Sequence, residues 1–253
     1  MTPPEQIVEQ VVEQVVEQIL EIGGLATTVV GDPAAARLVV VLLHGFGMEP
    51  ADLAPFAHSL ALPAVFLFPR GPVVAIVAPE VERGHAWWHI DPVARAAALA
   101  RGPRDFAGEH PDGLPAARAT LSRFLDAIPA FDARLSGLPL VVGGFSQGGM
   151  LTCDAFLRAP RPLAGLVQLS SSRIAFDEWP PYLARWGQGP FPYPPVFASH
   201  GRVDDDLAFG AGSALRDCLT AAGADVTWVP FDQGHEIPLV VWRHLRKRLL
   251  ALI

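Results

Sequence analysis

The chain has 253 residues, about half of them apolar and 18% charged, and carries a net charge of −7. That length supports one large α/β domain with a substantial core, and that composition excludes disorder over most of it. The acidic balance argues against nonspecific nucleic-acid binding, and apolar runs such as Leu38 to Leu43 are far too short to span a bilayer.

In chain order, the first feature is a repeat from Glu5 to Leu20 in which apolar pairs recur every four residues between Glu-Gln pairs. Period four fits a helix, so residues 5–21 are predicted as an amphipathic helix and 1–24 as an extension ahead of a single domain spanning 25–253. Three readings of the repeat stand open: a surface helix packed on the domain, self-association into a homo-oligomer, and membrane contact. Its acidic, amide-rich polar face, with no Lys or Arg, counts against docking on anionic lipid, and no stable membrane insertion is expected. The N-terminus lacks a basic region followed by an apolar one, so no secretory signal is predicted and cytoplasmic residence is expected.

From Leu25 onward apolar strand-like runs alternate with helical stretches, the pattern of a mainly parallel sheet covered on both faces. Strands are predicted near 25–30, 37–43, 64–69, 138–144, 163–169, 195–200 and 226–231. Helices are predicted over about 52–60, 115–128, 148–158, 210–222 and 238–250. The first two strands, joined through Gly31-Asp32-Pro33, are predicted to form a hairpin. Residues 70–113 and 171–195 break the rhythm, being rich in Pro, Gly and aromatic side chains. Long irregular stretches in a compact domain are commonly functional, so these are predicted to wall a substrate cleft, with Trp87, Trp88 and Trp179 as candidate substrate contacts. Cys153 and Cys218 fall in predicted helices among apolar neighbours and read as buried free thiols. The basic cluster Arg243, Arg246, Lys247 and Arg248 lies in the last predicted helix, where positive charge suits the C-terminal dipole.

The chemistry is carried by Gly144-Phe145-Ser146-Gln147-Gly148, which follows a β-branched apolar strand and leads into a helix. This is the nucleophile-elbow pattern: a turn tight enough to push a serine hydroxyl outward crowds the residues two before and two after it, and both are glycine. A serine nucleophile needs a base, and the base needs an orienting carboxylate. Two later strands end in His200-Gly201-Arg202-Val203-Asp204-Asp205-Asp206 and in Asp232-Gln233-Gly234-His235-Glu236. Chemistry in open parallel sheets gathers at the carboxyl edge, so an acid from the aspartate triplet and His235 can converge on Ser146. Adjacent aspartates leave the acid open on the residues alone, with the others expected to be solvated or capping the next helix. The oxyanion hole requires two backbone N–H donors, one from Gln147 and one from the turn His44-Gly45-Phe46-Gly47, with Phe46 as donor and His44 serving the loop's shape.

From about Arg37 to Leu250 the chain resembles the phospholipase/carboxylesterase family of α/β-hydrolases, which includes the acyl-protein thioesterases. The resemblance rests on Leu43-His44-Gly45-Phe46-Gly47, Phe68-Pro69-Arg70-Gly71-Pro72, Ala86-Trp87-Trp88, Gly144 through Gly149, Leu169-Ser170, His200 through Asp204 and Gly234-His235-Glu236-Ile237. The family's His-Gly-x-x-Asp block selects Asp204 from the triplet, and its Gly-His block selects His235. Met48-Glu49 and Trp87-Trp88-His89 depart from the family's pattern, which bears on substrate preference. The resemblance implies an α/β-hydrolase fold with no metal or organic cofactor. It also implies hydrolysis of carboxylic esters through an acyl-enzyme on Ser146, with His235 and Asp204 completing the triad, and the aromatic and apolar residues of 70–91 and 171–195 suggest an acyl group of short to medium length. The alternatives are a lysophospholipase or acyl-protein thioesterase acting on longer acyl chains and, from another class, a catalytically silent binding or assembly protein.

Overall fold

The computed structural model describes residues 17–185, 188 and 193–253. Eight strands form one sheet: β1 (Glu17–Ile22), β2 (Leu25–Val30), β3 (Val39–Leu43), β4 (Val65–Pro69), β7 (Leu140–Phe145), β8 (Gly165–Leu169), β9 (Val196–Gly201) and β10 (Val226–Phe231). Their spatial order is β1-β2-β4-β3-β7-β8-β9-β10. Strands β4, β3, β7, β8, β9 and β10 run parallel, whereas β2 pairs antiparallel with both β1 and β4. A separate two-stranded hairpin, β5 (Val73–Ala78) with β6 (Val81–Ala86), stands beside the carboxyl edge.

Central strands such as β3 and β8 are buried at every position because helices cover both faces. The two-residue period of a strand divides β3 between the layers: Val39, Val41 and Leu43 face one core cluster, while Val40 and Leu42 face the other. The first cluster is filled by α3 (Leu114–Phe131), α4 (Gln147–Arg158) and α6 (Phe209–Ala221), through Leu121, Phe124, Leu151, Phe156 and Leu215. The second is closed by α1 (Ala54–Leu60) and α7 (Leu239–Leu250), through Ala57, Leu60, Val241 and Trp242.

Three expectations are corrected here. Residues 17–22 are a strand, not the end of a helix, because Gly23 and Gly24 make a two-residue turn with φ of 57° and 84° that sets Ile22 opposite Leu25. The rest of the predicted repeat helix lies outside the described residues. The predicted hairpin of β2 and β3 does not form, since β4 lies between them and β3 pairs with β4 and β7. The supposedly irregular stretch 70–113 holds β5, β6 and α2 (Pro92–Leu99), the last opened by Asp91, whose carboxylate accepts the Ala94 N–H. A short α5 (Pro180–Arg185) follows β8. Cys153 is buried, and burial raises its thiol well above the usual range, whereas Cys218 is only half-buried. Among the described residues, no helix is long and apolar enough to cross a membrane.

Candidate active site

The junction of β7 and α4 sets Ser146 at the carboxyl edge of the sheet with φ 53° and ψ −118°, a conformation that costs a non-glycine residue energy. The surroundings hold it there. The Ser146 N–H donates to the Leu169 carbonyl at 2.9 Å, and its own carbonyl accepts from Met150 as the first helical turn begins. A Cβ on Gly144 would stand 2.5 Å from the Gly148 backbone, and one on Gly148 would stand 2.5 Å from the Leu43 carbonyl oxygen. The turn therefore closes only with glycine at both places, as the pentapeptide implies.

Asp204 and His235 emerge from the loops after β9 and β10. Asp204 is 4% exposed. Its Oδ1 accepts the Asp206 and Leu207 N–H groups at 2.9 and 2.8 Å, and its Oδ2 accepts from Nδ1 of His235 at 2.7 Å. With Nδ1 donating to Asp204, Nε2 is the ring nitrogen of His235 left to take up a proton. That ring packs on Phe145 at 4.7 Å, and Ser146 and His235 line one cavity of about 410 Å³.

Phe46 and Gln147 line the same cavity. Neither backbone N–H donates to a backbone acceptor among the described residues. The side chain of Gln147 turns away to brace the wall: its Oε1 accepts the Trp87 N–H at 2.9 Å, and its Nε2 donates to the Trp88 carbonyl at 3.0 Å. His44 is fully buried with both ring nitrogens engaged. Its Nε2 accepts the Gly71 N–H at 2.9 Å, which leaves Nδ1–H to donate to the Gly45 carbonyl at 2.8 Å. Burial lowers its pKa from 6.5 to about 4, against smaller raising effects from the Gly45 carbonyl and from Glu49 and Asp52, while His85 adds to the lowering. His44 is thus a neutral brace of the turn, as its place in the sequence suggests.

The model of the phospholipase/carboxylesterase family matches residues 26–252. The chain belongs to that family. As a member it is a serine-type hydrolase with the α/β-hydrolase fold. It is 27% identical over 215 residues to acyl-protein thioesterase 1 of Neurospora crassa, covering 80% of this chain and 82% of that one. It is 26% identical over 230 residues to a protein named "Probable carboxylesterase" from Oryza sativa subsp. japonica, covering 85% and 79%. The crystal structure of esterase PE8 superposes with a TM-score of 0.68 at 23% identity, over 94% of this chain and 99% of that one, which shows the shared fold.

Within this family member the cavity wall is built differently from the sequence expectation. Of the three tryptophans predicted to touch substrate, only Trp88 lines the cavity. Trp87 is buried behind it, with Nε1 donating to the His44 carbonyl at 2.9 Å. Trp179 packs elsewhere, its Nε1 donating at 2.8 Å to Asp154 in a buried cluster with Arg118 and Arg158. None of the described residues of 171–195 lines the cavity, and Trp186 and Phe191 lie outside the described set. The stretch 70–113 does supply a wall, through Val77, Arg83, Trp88, Ile90, Arg95, Arg104 and Phe106.

The aspartate triplet also divides differently. Asp205 is exposed, but Asp206 lines the cavity, paired with both Arg95 and Arg104. Burial raises the Asp206 pKa, yet its hydrogen bond to Arg104 and the charges of Arg104, His235 and Arg95 outweigh that and hold it below the ordinary carboxylate range. The Arg104 N–H donates to the Asp206 carbonyl, and the Ala208 N–H donates to the Arg104 carbonyl, so this segment is fastened to the acid-bearing loop. No local sequence signal joins Arg95 and Arg104 to Asp206, over a hundred positions away.

Proposed function

We propose that the chain hydrolyses carboxylic esters of short to medium acyl length through an acyl-enzyme, with Ser146 as nucleophile, His235 as general base and Asp204 as the orienting acid. The observation that carries this reading is the 2.7 Å contact of His235 Nδ1 with a buried Asp204, in a cavity that also holds the strained Ser146. His235 takes the serine proton at Nε2 as Oγ attacks the acyl carbon, and Asp204 stabilises the imidazolium formed. The Phe46 and Gln147 N–H groups receive the oxyanion, at about 3 kcal/mol per donor in comparable sites. His235 then protonates the leaving alkoxide, and water releases the acid by the same route. A cavity of about 410 Å³ suits a compact acyl group.

A second reading, hydrolysis of thioesters or lysophospholipids with longer chains, draws support from relatives named acyl-protein thioesterase 1. The experiment that decides between them compares kcat/KM across acyl lengths for matched oxygen esters and thioesters. A maximum at two to six carbons on oxygen esters supports the first reading, and rates rising toward palmitoyl thioesters support the second. Fluorophosphonate labelling that is lost in Ser146→Ala separates either from a silent binding protein, which would not react.

A further inference from the structure

Three arginines line the cavity that holds Ser146 and His235: the exposed Arg83 from β6, Arg95 from α2 and Arg104 from the segment that follows it. Against them the lining sets one carboxylate outside the proposed triad, Asp206, which is already shared by Arg95 and Arg104. Arg83 has no carboxylate within ion-pairing distance among the described residues. Arg95 and Arg104 are largely enclosed, and the Nε of each is buried without a protein hydrogen-bond partner. Enclosed donors lacking an acceptor are costly and uncommon, and a surplus of positive charge in a site walled by Phe46, Trp88 and Phe106 is costly too. The aromatic faces offset part of that cost: the guanidinium of Arg104 lies 4.6 Å from the centre of the Phe106 ring, and that of Arg95 lies 5.7 Å from Phe46.

Such an arrangement is suited to a ligand that brings its own negative charge. Guanidinium groups present planar, paired donors that match a carboxylate or phosphate, and enclosure strengthens the attraction. We infer that the esters hydrolysed here carry an anionic group, held by Arg83, Arg95 and Arg104 while the ester carbonyl lies at Ser146. The inference rests on the esterase reading above and adds the substrate class to it. Asp206 then has two tasks: it keeps Arg95 and Arg104 oriented toward the cavity, and it ties them to the loop that carries Asp204.

The anion can sit on the acyl side or on the alcohol side, and the two are told apart by substrate. Monomethyl glutarate is compared with methyl pentanoate, and 4-acetoxybutanoate with pentyl acetate, each at pH 7.5 in a pH-stat. In each case the acyl C–O bond breaks, water supplies oxygen to the acyl carbon, and the acid formed releases the proton that is titrated. The expected result is a kcat/KM at least tenfold higher for the anionic member of one pair, falling toward the neutral value in 0.5 M NaCl. That ratio should drop at least fivefold in Arg83→Gln, on an exposed part of the hairpin, and in Arg104→Gln. Near-equal rates in both pairs, or a ratio untouched by both substitutions, overturn the anionic-substrate inference while turnover of the neutral esters upholds the esterase. If no ester is turned over and Ser146 fails to react with a fluorophosphonate, the esterase reading falls and this inference falls with it.

Discussion

Asp204 shows how much one carboxylate can be asked to do. Its Oδ1 ties down two backbone N–H groups of its own loop, and its Oδ2 orients His235. Asn at 204 can keep the first task with its carbonyl oxygen but must offer an amide N–H to His235 Nδ1. The ring would then accept at Nδ1 and carry its proton on Nε2, where it can no longer take one from Ser146. Asp204→Asn should therefore lower kcat by roughly 10³ to 10⁴ on 4-nitrophenyl butyrate while the urea midpoint moves little. A loss of activity matched by a loss of fold would assign Asp204 to structure alone. Ser146→Ala should remove at least as much activity with no change in stability, since its hydroxyl is not a core group.

At the scale of elements, the elbow depends on backbones approaching more closely than a methyl group permits. In Gly148→Ala the new Cβ would meet the Leu43 and His44 carbonyl oxygens at 2.5 and 2.6 Å, and neither can move without opening β3. A destabilisation of about 1–3 kcal/mol is expected, with loss of turnover, read from thermal melts and from 4-nitrophenyl butyrate hydrolysis. Gly210 is the contrast. Its Cβ would meet nothing within 4 Å, and it lies in the first turn of α6, so Gly210→Ala should raise stability by up to about 0.5–1 kcal/mol. The same reasoning explains what could be read ahead of the structure. Strands buried on both faces, such as β3 and β4, announce themselves as apolar runs, and the elbow glycines declare their own geometry. The hairpin of β5 and β6 does not, because its register shifts twice and its outer face is polar. The Glu-Gln repeat has helical spacing, yet its last residues gain more by pairing with β2 across Gly23-Gly24 than a Val-rich helix offers. Arg95, Arg104 and Asp206 meet only through tertiary structure, and no spacing rule reaches across that separation.

For the molecule as a whole, two histidines are enclosed in the fold on either side of Ser146, His44 at the start of the Gly45–Gly47 turn and His200 under the loop that carries Asp204. His44 is buried beneath Gly45 and Gly71. His200 is buried with Nε2 near the Leu207 carbonyl, at 3.0 Å, and burial lowers its pKa despite the proximity of Asp204. Both are therefore harder to protonate in the folded chain than in the unfolded one. Between the folded and unfolded pKa values the unfolded chain binds more protons, so stability rises with pH across that window and is complete above about pH 6.5. For His44 the window runs from about 4 to 6.5, which corresponds to roughly 3 kcal/mol lost on acidification. His200 adds to the loss in the same direction. Urea unfolding of the wild-type chain at intervals from pH 7.5 to 4.5 should show stability falling below pH 6.5, before most carboxylates titrate. His44→Gln, which removes one of the two groups, should start from a lower stability at pH 7.5 but fall less steeply over the same range. Parallel curves for the two proteins would mean that His44 takes up its proton without unfolding the turn, and the Gly45–Gly47 turn would then have to be softer than its hydrogen bonds imply.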